Sequence, residues 1–167
     1  MAVSSDITRP IINTLYAQAM ALADEVRLAF TIDPADDCSL ASDEDADRVR
    51  IAHSVEGLRT TTRTMHVLAW LLNQRAFLAG DISESQLRRH GKLPADRLAD
   101  SDCLALLPLA TQEIVAETRR LHQRIARLDA EWRRASDDAE GNAAAGHRSG
   151  DPVWKMQQRL GQAMQLN

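Results

Sequence analysis

The chain of 167 residues has few of the residues that build sheets, tight turns or disulfide frameworks. It contains two cysteines, seven glycines, three tryptophans, two phenylalanines and one tyrosine. Cys38 and Cys103 stand far apart with no second cysteine beside either, which excludes a CxxC motif and a disulfide framework. Because alanine, leucine and arginine are abundant while glycine and aromatic residues are scarce, the composition favours helices over strands.

Long apolar runs and a strong net charge are also missing. The longest apolar run, Val67–Leu72, is far shorter than the roughly 20 residues that span a bilayer. The N-terminal MAVSSDITRP lacks the basic-then-apolar order of a signal peptide. The net charge of −4 provides no strong field toward nucleic acid or anionic lipid. We therefore expect a cytoplasmic protein with reduced cysteines that binds neither membrane nor nucleic acid.

Motifs for catalysis and cofactor binding are missing too. The five histidines include no HExxH or ExxH pair and no cysteine partner at metal-ligand spacing. No GxSxG, GxGxxG or GxxxxGK sequence is present. His66 and His122 are able to meet across a helical bundle, although a structural histidine is the simpler interpretation of each. The sequence predicts no enzyme, no cofactor and no metal site.

Three stretches have the apolar periodicity of long helices. Residues 8–30, 44–79 and 108–135 carry apolar side chains at alternating spacings of three and four. Thr8 suits the N-cap of the first helix, and Gly80 suits the end of the second. Three such helices pack most simply as an all-α, antiparallel up-down-up three-helix bundle with a flexible C-terminal tail.

Composition divides the chain into three parts. Residues 1–135 contain all three helical patterns and are predicted to form the bundle. Residues 136–150 are small, polar and glycine-bearing, which is typical of a flexible linker. Residues 151–167 form a short amphipathic segment, which either folds back on the bundle or docks elsewhere as a linear motif. Its candidate docking residues are Pro152, Val153, Trp154, Leu160 and Met164.

The second helix has apolar residues on two sides. One stripe consists of Ile51, Val55, Leu58, Thr62, Met65, Ala69, Leu72, Ala76 and Ala79. Its spacing is typical of a seam packed against other helices, so we predict that it faces the bundle. The opposite side carries Val67, Trp70, Leu71, Phe77 and Leu78. We predict that this second face binds another copy of the chain or a partner protein.

Residues 58–83, LRTTTRTMHVLAWLLNQRAFLAGDIS, resemble the signature of the RcdA-like family of alphaproteobacteria, whose broad form is a domain of uncharacterised function. The segments LYAQAMALADEVRLAF, ALLP…RIARLDAEWRR and DPV are similar to the same family. The positions that match the signature are Thr61, Thr62, Arg63, Met65, Trp70, Leu71, Leu72, Arg75 and Ala76. Gly57 and Thr64 stand where larger residues are usual, which predicts a looser second helix.

The resemblance implies a small dimeric three-helix bundle that acts as an adaptor. Such adaptors deliver cell-cycle regulators to the ClpXP protease, together with a receiver-domain priming adaptor and a cyclic-di-GMP-binding partner, and their C-terminal tail is mobile. We therefore expect a non-enzymatic homodimeric adaptor that contacts ClpX. The alternative is a dimeric helical scaffold or regulatory protein unrelated to proteolysis. A third hypothesis, a DNA-associated regulator, depends only on three arginines along one side of the third helix, and acidic residues are interspersed with them. The arginines are Arg120, Arg124 and Arg127.

Overall fold

The computed structural model describes the backbone of residues 3–31, 43–97 and 101–150. Within those ranges the chain forms five helices and no strand, so the all-α prediction is confirmed. The helices are α1 (Val3–Ala29), α2 (Asp43–Ala79), α3 (Glu84–His90), α4 (Ser101–Ala105) and α5 (Leu109–Gly150). The predicted docking segment 151–167, with Pro152, Val153, Trp154, Leu160 and Met164, lies outside the described residues.

Helices α1 and α2 pack against each other in opposite directions. Near the start of α1, Arg9 Nη2 donates a hydrogen bond of 2.6 Å to the carbonyl of Leu78, which lies at the end of α2. At the other end, His53 Nε2 lies 3.3 Å from the carbonyl oxygen of Ala29. The buried residues of α1 recur at spacings of three and four, as one face of a helix requires. They are Ile12, Leu15, Ala19, Leu22 and Val26.

Two helix boundaries differ from the sequence prediction. Helix α1 begins at Val3, so Thr8 is inside the helix and is not its N-cap, and Pro10 is accommodated within it. Helix α5 continues to Gly150 and covers residues 136–150, where a flexible linker was predicted. Once a helix has nucleated, each further residue adds a hydrogen bond at little cost, which helps alanine-rich sequence to extend it. The chain divides into two compact units, Met1–Ala126 and Arg127–Asn167.

The end of α2 follows from Gly80, as predicted. Gly80 has a φ of 86°, a left-handed conformation that glycine adopts without a steric penalty. Its amide donates to the carbonyl of Phe77 at 3.0 Å, and the amide of Asp81 donates to that of Ala76 at 2.9 Å. These two bonds form a Schellman motif, which satisfies carbonyls that a helix end otherwise leaves without a partner.

Gly57 permits a close approach between α2 and the end of α1. A Cβ atom built at this position would lie 2.8 Å from Cδ1 of Phe30, closer than van der Waals contact allows. The Phe30 ring also packs against His53, with ring centroids 5.0 Å apart. Helix α2 is continuous through Gly57. The glycine therefore has a packing role at this contact.

Helix α3 begins with a capping box. Ser83 Oγ accepts a hydrogen bond from the amide of Gln86 at 3.3 Å, and the Gln86 side chain accepts one from the amide of Ser83 at 2.8 Å. Because α3 has only seven residues and no buried side chain, this cap is a large part of its stability.

Ser83→Ala is expected to destabilise α3 locally by about 1 kcal/mol, the usual cost of losing a serine cap. Hydrogen exchange should show faster exchange of the α3 amides, with the remaining helices unchanged. Ser54→Ala, an exposed position within α2, provides the matched control and should leave α3 exchange as it is. Equal exchange rates in both variants would contradict this role for the cap.

Candidate functional site

An exposed, mainly apolar stripe runs along α2 and is here called the α2 stripe. Its members are Ile51, Val55, Leu58, Thr62, Met65, Ala69 and Leu72, and all are exposed. The exposed fractions of Leu58, Met65 and Ile51 are 72%, 60% and 64%. The members alternate at spacings of four and three over about 31 Å at 1.5 Å per residue. This is the pattern of a helix seam that pairs with another helix.

The structure reverses the predicted assignment of the two α2 faces. Val67, Trp70 and Leu71 are 1%, 2% and 0% exposed, so they form part of the core of one chain and are not available as a partner face. Phe77 is 37% exposed and Leu78 is half-buried. Of the nine residues predicted to face the bundle, seven form the exposed α2 stripe, Ala79 is also exposed and Ala76 is half-buried. Apolar periodicity gives two faces here, and it does not determine which one packs inward.

The buried face of α2 includes a group of charged side chains. Glu56 is completely buried and lies at the centre of three arginines. Arg59 Nη1 lies 3.6 Å from Glu56 Oε2, and Arg63 Nη2 lies 3.9 Å from Glu56 Oε1. Arg119 Nη2, from α5, lies 4.0 Å from Oε1. We call these four residues and Asp96 the ion cluster.

Arg63 connects three segments of the chain. Its Nε donates a hydrogen bond of 2.8 Å to Asp96 Oδ1, in the segment after α3. Its Nη1 donates to Thr118 Oγ1 of α5 at 3.0 Å and to Thr60 Oγ1 at 3.4 Å. The Arg63 side chain is 1% exposed, so its planar fork is held in one geometry by these partners.

Positive charge exceeds negative charge in the ion cluster. Three arginines face two carboxylates, and only Glu56 is completely buried among the acids. Within the ion cluster, four buried atoms have no hydrogen-bond partner among the described residues. They are Glu56 Oε2, Arg59 Nη1, Arg63 Nη2 and Arg119 Nη2. Buried charged groups ordinarily acquire such partners, because leaving them without one is costly.

A cavity of about 650 Å³ lies beside the ion cluster. Arg59, Arg63 and Asp96 contribute to its wall, together with Arg97. His66 and His122 line this same cavity. They are the two histidines that the sequence allows to meet across a helical bundle. The remaining wall is mainly apolar and includes three residues of the α2 stripe, Val55, Leu58 and Thr62. The cavity is therefore open to the same side of α2 as the stripe.

His122 also fixes the segment after α3. Its Nε2 lies 3.0 Å from the carbonyl oxygen of Pro94, two residues before Asp96. The segment is thus held at two points, by His122 at Pro94 and by Arg63 at Asp96. This supports the structural interpretation of His122.

The residues of the predicted signature divide between surface and core. The exposed ones are Thr61, Thr62, Met65, Leu72 and Arg75. The buried ones are Arg63, Trp70 and Leu71, and Ala76 is half-buried. The Thr62 hydroxyl donates to the carbonyl of Leu58 at 2.8 Å, as a threonine in a helix interior often does. The Arg75 guanidinium lies 4.4 Å from the centroid of the Tyr16 ring, a cation–π contact.

Sequence reasoning missed the ion cluster. Glu56 lies one helical turn from the buried residues Ala52 and Thr60, and therefore on the same face of α2. Its burial is predictable only once the inward face of the helix is known. Its basic partners are adjacent in sequence at Arg59 and Arg63, but Arg119 belongs to another helix. Only the fold brings them together.

No group of three or more histidine, cysteine, aspartate or glutamate side chains in the described part of the chain is placed to hold a metal ion. Among the described helices, none combines the length and hydropathy that crossing a bilayer requires.

Comparison with known proteins places the chain in a family. No curated protein and no solved structure matches the chain significantly. Residues 3–164 match the family described as "Protein of unknown function (DUF1465)". This match covers nearly the whole chain, including all five described helices. The chain therefore belongs to the DUF1465 family.

Proposed function

We propose that this protein is a non-enzymatic, homodimeric adaptor that brings regulatory proteins to the ClpXP protease in the cytoplasm. The observation that carries the interaction role is the α2 stripe, an exposed apolar seam on a helix whose other face is buried. The link to ClpXP rests on the resemblance of residues 58–83 to the RcdA-like family. A receiver-domain priming adaptor and a cyclic-di-GMP-binding protein are the further partners that this resemblance implies.

The proposed architecture is an up-down-up three-helix bundle of α1, α2 and α5. The opposite directions of α1 and α2 support it, as do the hydrogen bond from Arg63 to Thr118 and the ion pair between Glu56 and Arg119. In such a bundle the inward face of α2 includes the ion cluster. The α2 stripe then faces outward and is available for an interface.

The proposed homodimer pairs the α2 stripe with its copy. A twofold axis brings the same patch of both chains together, so a self-complementary apolar seam suits this symmetry. Exposed leucine, isoleucine and methionine side chains at heptad-like spacing are suited to interdigitate with an identical helix. Burying each of them removes apolar surface from water, which stabilises the pair.

Removal of residues 151–167 tests the delivery role. This truncation keeps α5 intact, whereas a cut at residue 136 would remove part of the helix. We expect α1–α5 and dimerisation to be retained, together with loss of ClpXP-dependent degradation of a receiver-domain regulator in a reconstituted assay. The physical reason is that a tethered apolar segment raises the local concentration of whatever it binds.

A double substitution within the same segment provides the control. Trp154→Ser with Leu160→Ser should reproduce the truncation, whereas Gln157→Ser with Gln165→Ser should not. Degradation at the full rate after truncation would contradict the proposed delivery role and leave the alternative of a dimeric scaffold. That alternative predicts that neither ClpX nor receiver-domain proteins co-purify with the full chain.

A further inference from the structure

We infer that the cavity beside the ion cluster binds a small organic anion that carries a phosphate or carboxylate group next to a compact apolar group. Small-ligand binding goes beyond the adaptor role, although the cavity wall shares Val55, Leu58 and Thr62 with the α2 stripe and so borders the proposed dimer interface. Three features of the cavity support the inference: its local charge, its apolar wall and the fixed position of Arg63.

The charge of the cavity is opposite to that of the whole chain. The chain has a net charge of −4. Glu56 does not line the cavity but pairs with Arg59 and Arg63. The wall itself contains these two arginines and Arg97 against a single carboxylate, that of Asp96. The Oδ1 atom of that carboxylate already accepts from Arg63 Nε at 2.8 Å. Positive charge concentrated in a concave, partly desolvated site attracts anions more strongly than the same charge spread over a surface.

The size and the apolar wall indicate an organic ligand in place of a bare inorganic ion. A volume of about 650 Å³ is within the range of small-molecule sites. Val55, Leu58 and Ala95 provide apolar surface beside the arginines. A ligand with a charged end and a compact apolar end would contact both parts of this wall.

The cationic part of the site is held in place before any ligand binds. Arg63 is 2% exposed, and its partners Asp96, Thr60 and Thr118 come from three different segments. Its Nη2 and the Nη1 of Arg59 lie 3.9 and 3.6 Å from the buried Glu56 carboxylate. Both side chains line the cavity, so they act on a ligand through their charge, whereas Arg97 is exposed and able to donate directly. A cation that is already positioned loses little entropy when an anion binds beside it.

Titration of the full-length protein with phenyl phosphate, benzoate and inorganic phosphate tests the inference. Calorimetry measures affinity, and the imidazole resonances of His66 and His122 report whether the ligand enters this cavity. We expect saturable binding of phenyl phosphate or benzoate, with the tighter of the two identifying a phosphate or a carboxylate site. Inorganic phosphate should bind at least about tenfold more weakly, because it gains nothing from the apolar wall.

Two arginine variants distinguish binding in this cavity from nonspecific attraction to positive charge on the protein surface. Arg97→Gln removes an exposed cavity cation and should weaken phenyl phosphate binding about tenfold, as expected for one charge-assisted hydrogen bond. Arg124→Gln removes an exposed α5 cation outside the cavity and should leave the affinity unchanged. Absence of binding by either aromatic anion, or equal weakening in the two variants, would overturn the inference. So would equal affinity for inorganic phosphate and phenyl phosphate.

Discussion

Glu56→Ala is expected to lower the free energy of unfolding by about 3 kcal/mol, near the lower end of the range for breaking a buried ion pair. Glu56 is 0% exposed, and its removal leaves Arg63, whose side chain is 1% exposed, with Asp96 as its remaining acidic neighbour. The side chains of Arg59 and Arg119 are 30% and 26% exposed, so water partly compensates them. The expected loss therefore comes mainly from Arg63 and from the space that the glutamate leaves.

Urea unfolding followed by circular dichroism, at one protein concentration, measures this loss. Glu56→Gln keeps the side-chain volume and removes the charge, so it should be destabilised less than Glu56→Ala. The control is Glu117→Ala, because Glu117 is an exposed acid on α5 and its loss should change stability by no more than about 0.5 kcal/mol. If Glu56→Ala and Glu117→Ala unfold alike, the ion cluster does not stabilise the fold.

The helix types and several of their ends follow from local sequence. The observed end of α2 at Ala79 matches the prediction because Gly80 supplies the left-handed residue that a Schellman motif needs. The extension of α5 through residues 136–150 was not predictable from composition alone. Glycines there weaken a helix while the neighbouring alanines favour it, and the balance depends on the helix already formed upstream.

The inward face of α2 could not be chosen from its sequence. A leucine-rich side normally packs inward, and Leu58 and Met65 on the stripe looked more suited to a core than Glu56 and Arg63 do. The charged residues are buried because Asp96 and Arg119, which are distant in sequence, supply their partners. Hydrophobic periodicity favours the α2 stripe as the inward face of the helix. The structure instead buries the face that carries Glu56 and Arg63, whose charged partners lie in other segments. Arg59, Arg63 and Asp96 of the ion cluster also line the cavity, together with residues of other segments, so the sequence alone did not predict the candidate ligand site.

The double substitution Leu58→Asp with Met65→Asp is expected to convert the proposed dimer into a folded monomer and to raise its dissociation constant at least about 100-fold. Leu58 and Met65 are 72% and 60% exposed in one chain, so carboxylates at these positions remain hydrated in the monomer. In a symmetric pair each substitution occurs twice, and four carboxylates would have to enter the apolar seam. Each buried leucine or methionine ordinarily contributes about 1.5–3 kcal/mol, and that contribution is lost as well.

Sedimentation over a dilution series measures the dissociation constant, and circular dichroism checks that the helices are retained. Leu28→Asp is the matched control, because Leu28 is 57% exposed on α1 and lies outside the α2 stripe. It should leave the dimer intact. Leu71→Asp, in contrast, places a carboxylate at a site that is 0% exposed within one chain, so it should unfold the protein and not yield a helical monomer. A dimer that survives the double substitution, or a folded Leu71→Asp monomer, would place the interface on the opposite face of α2.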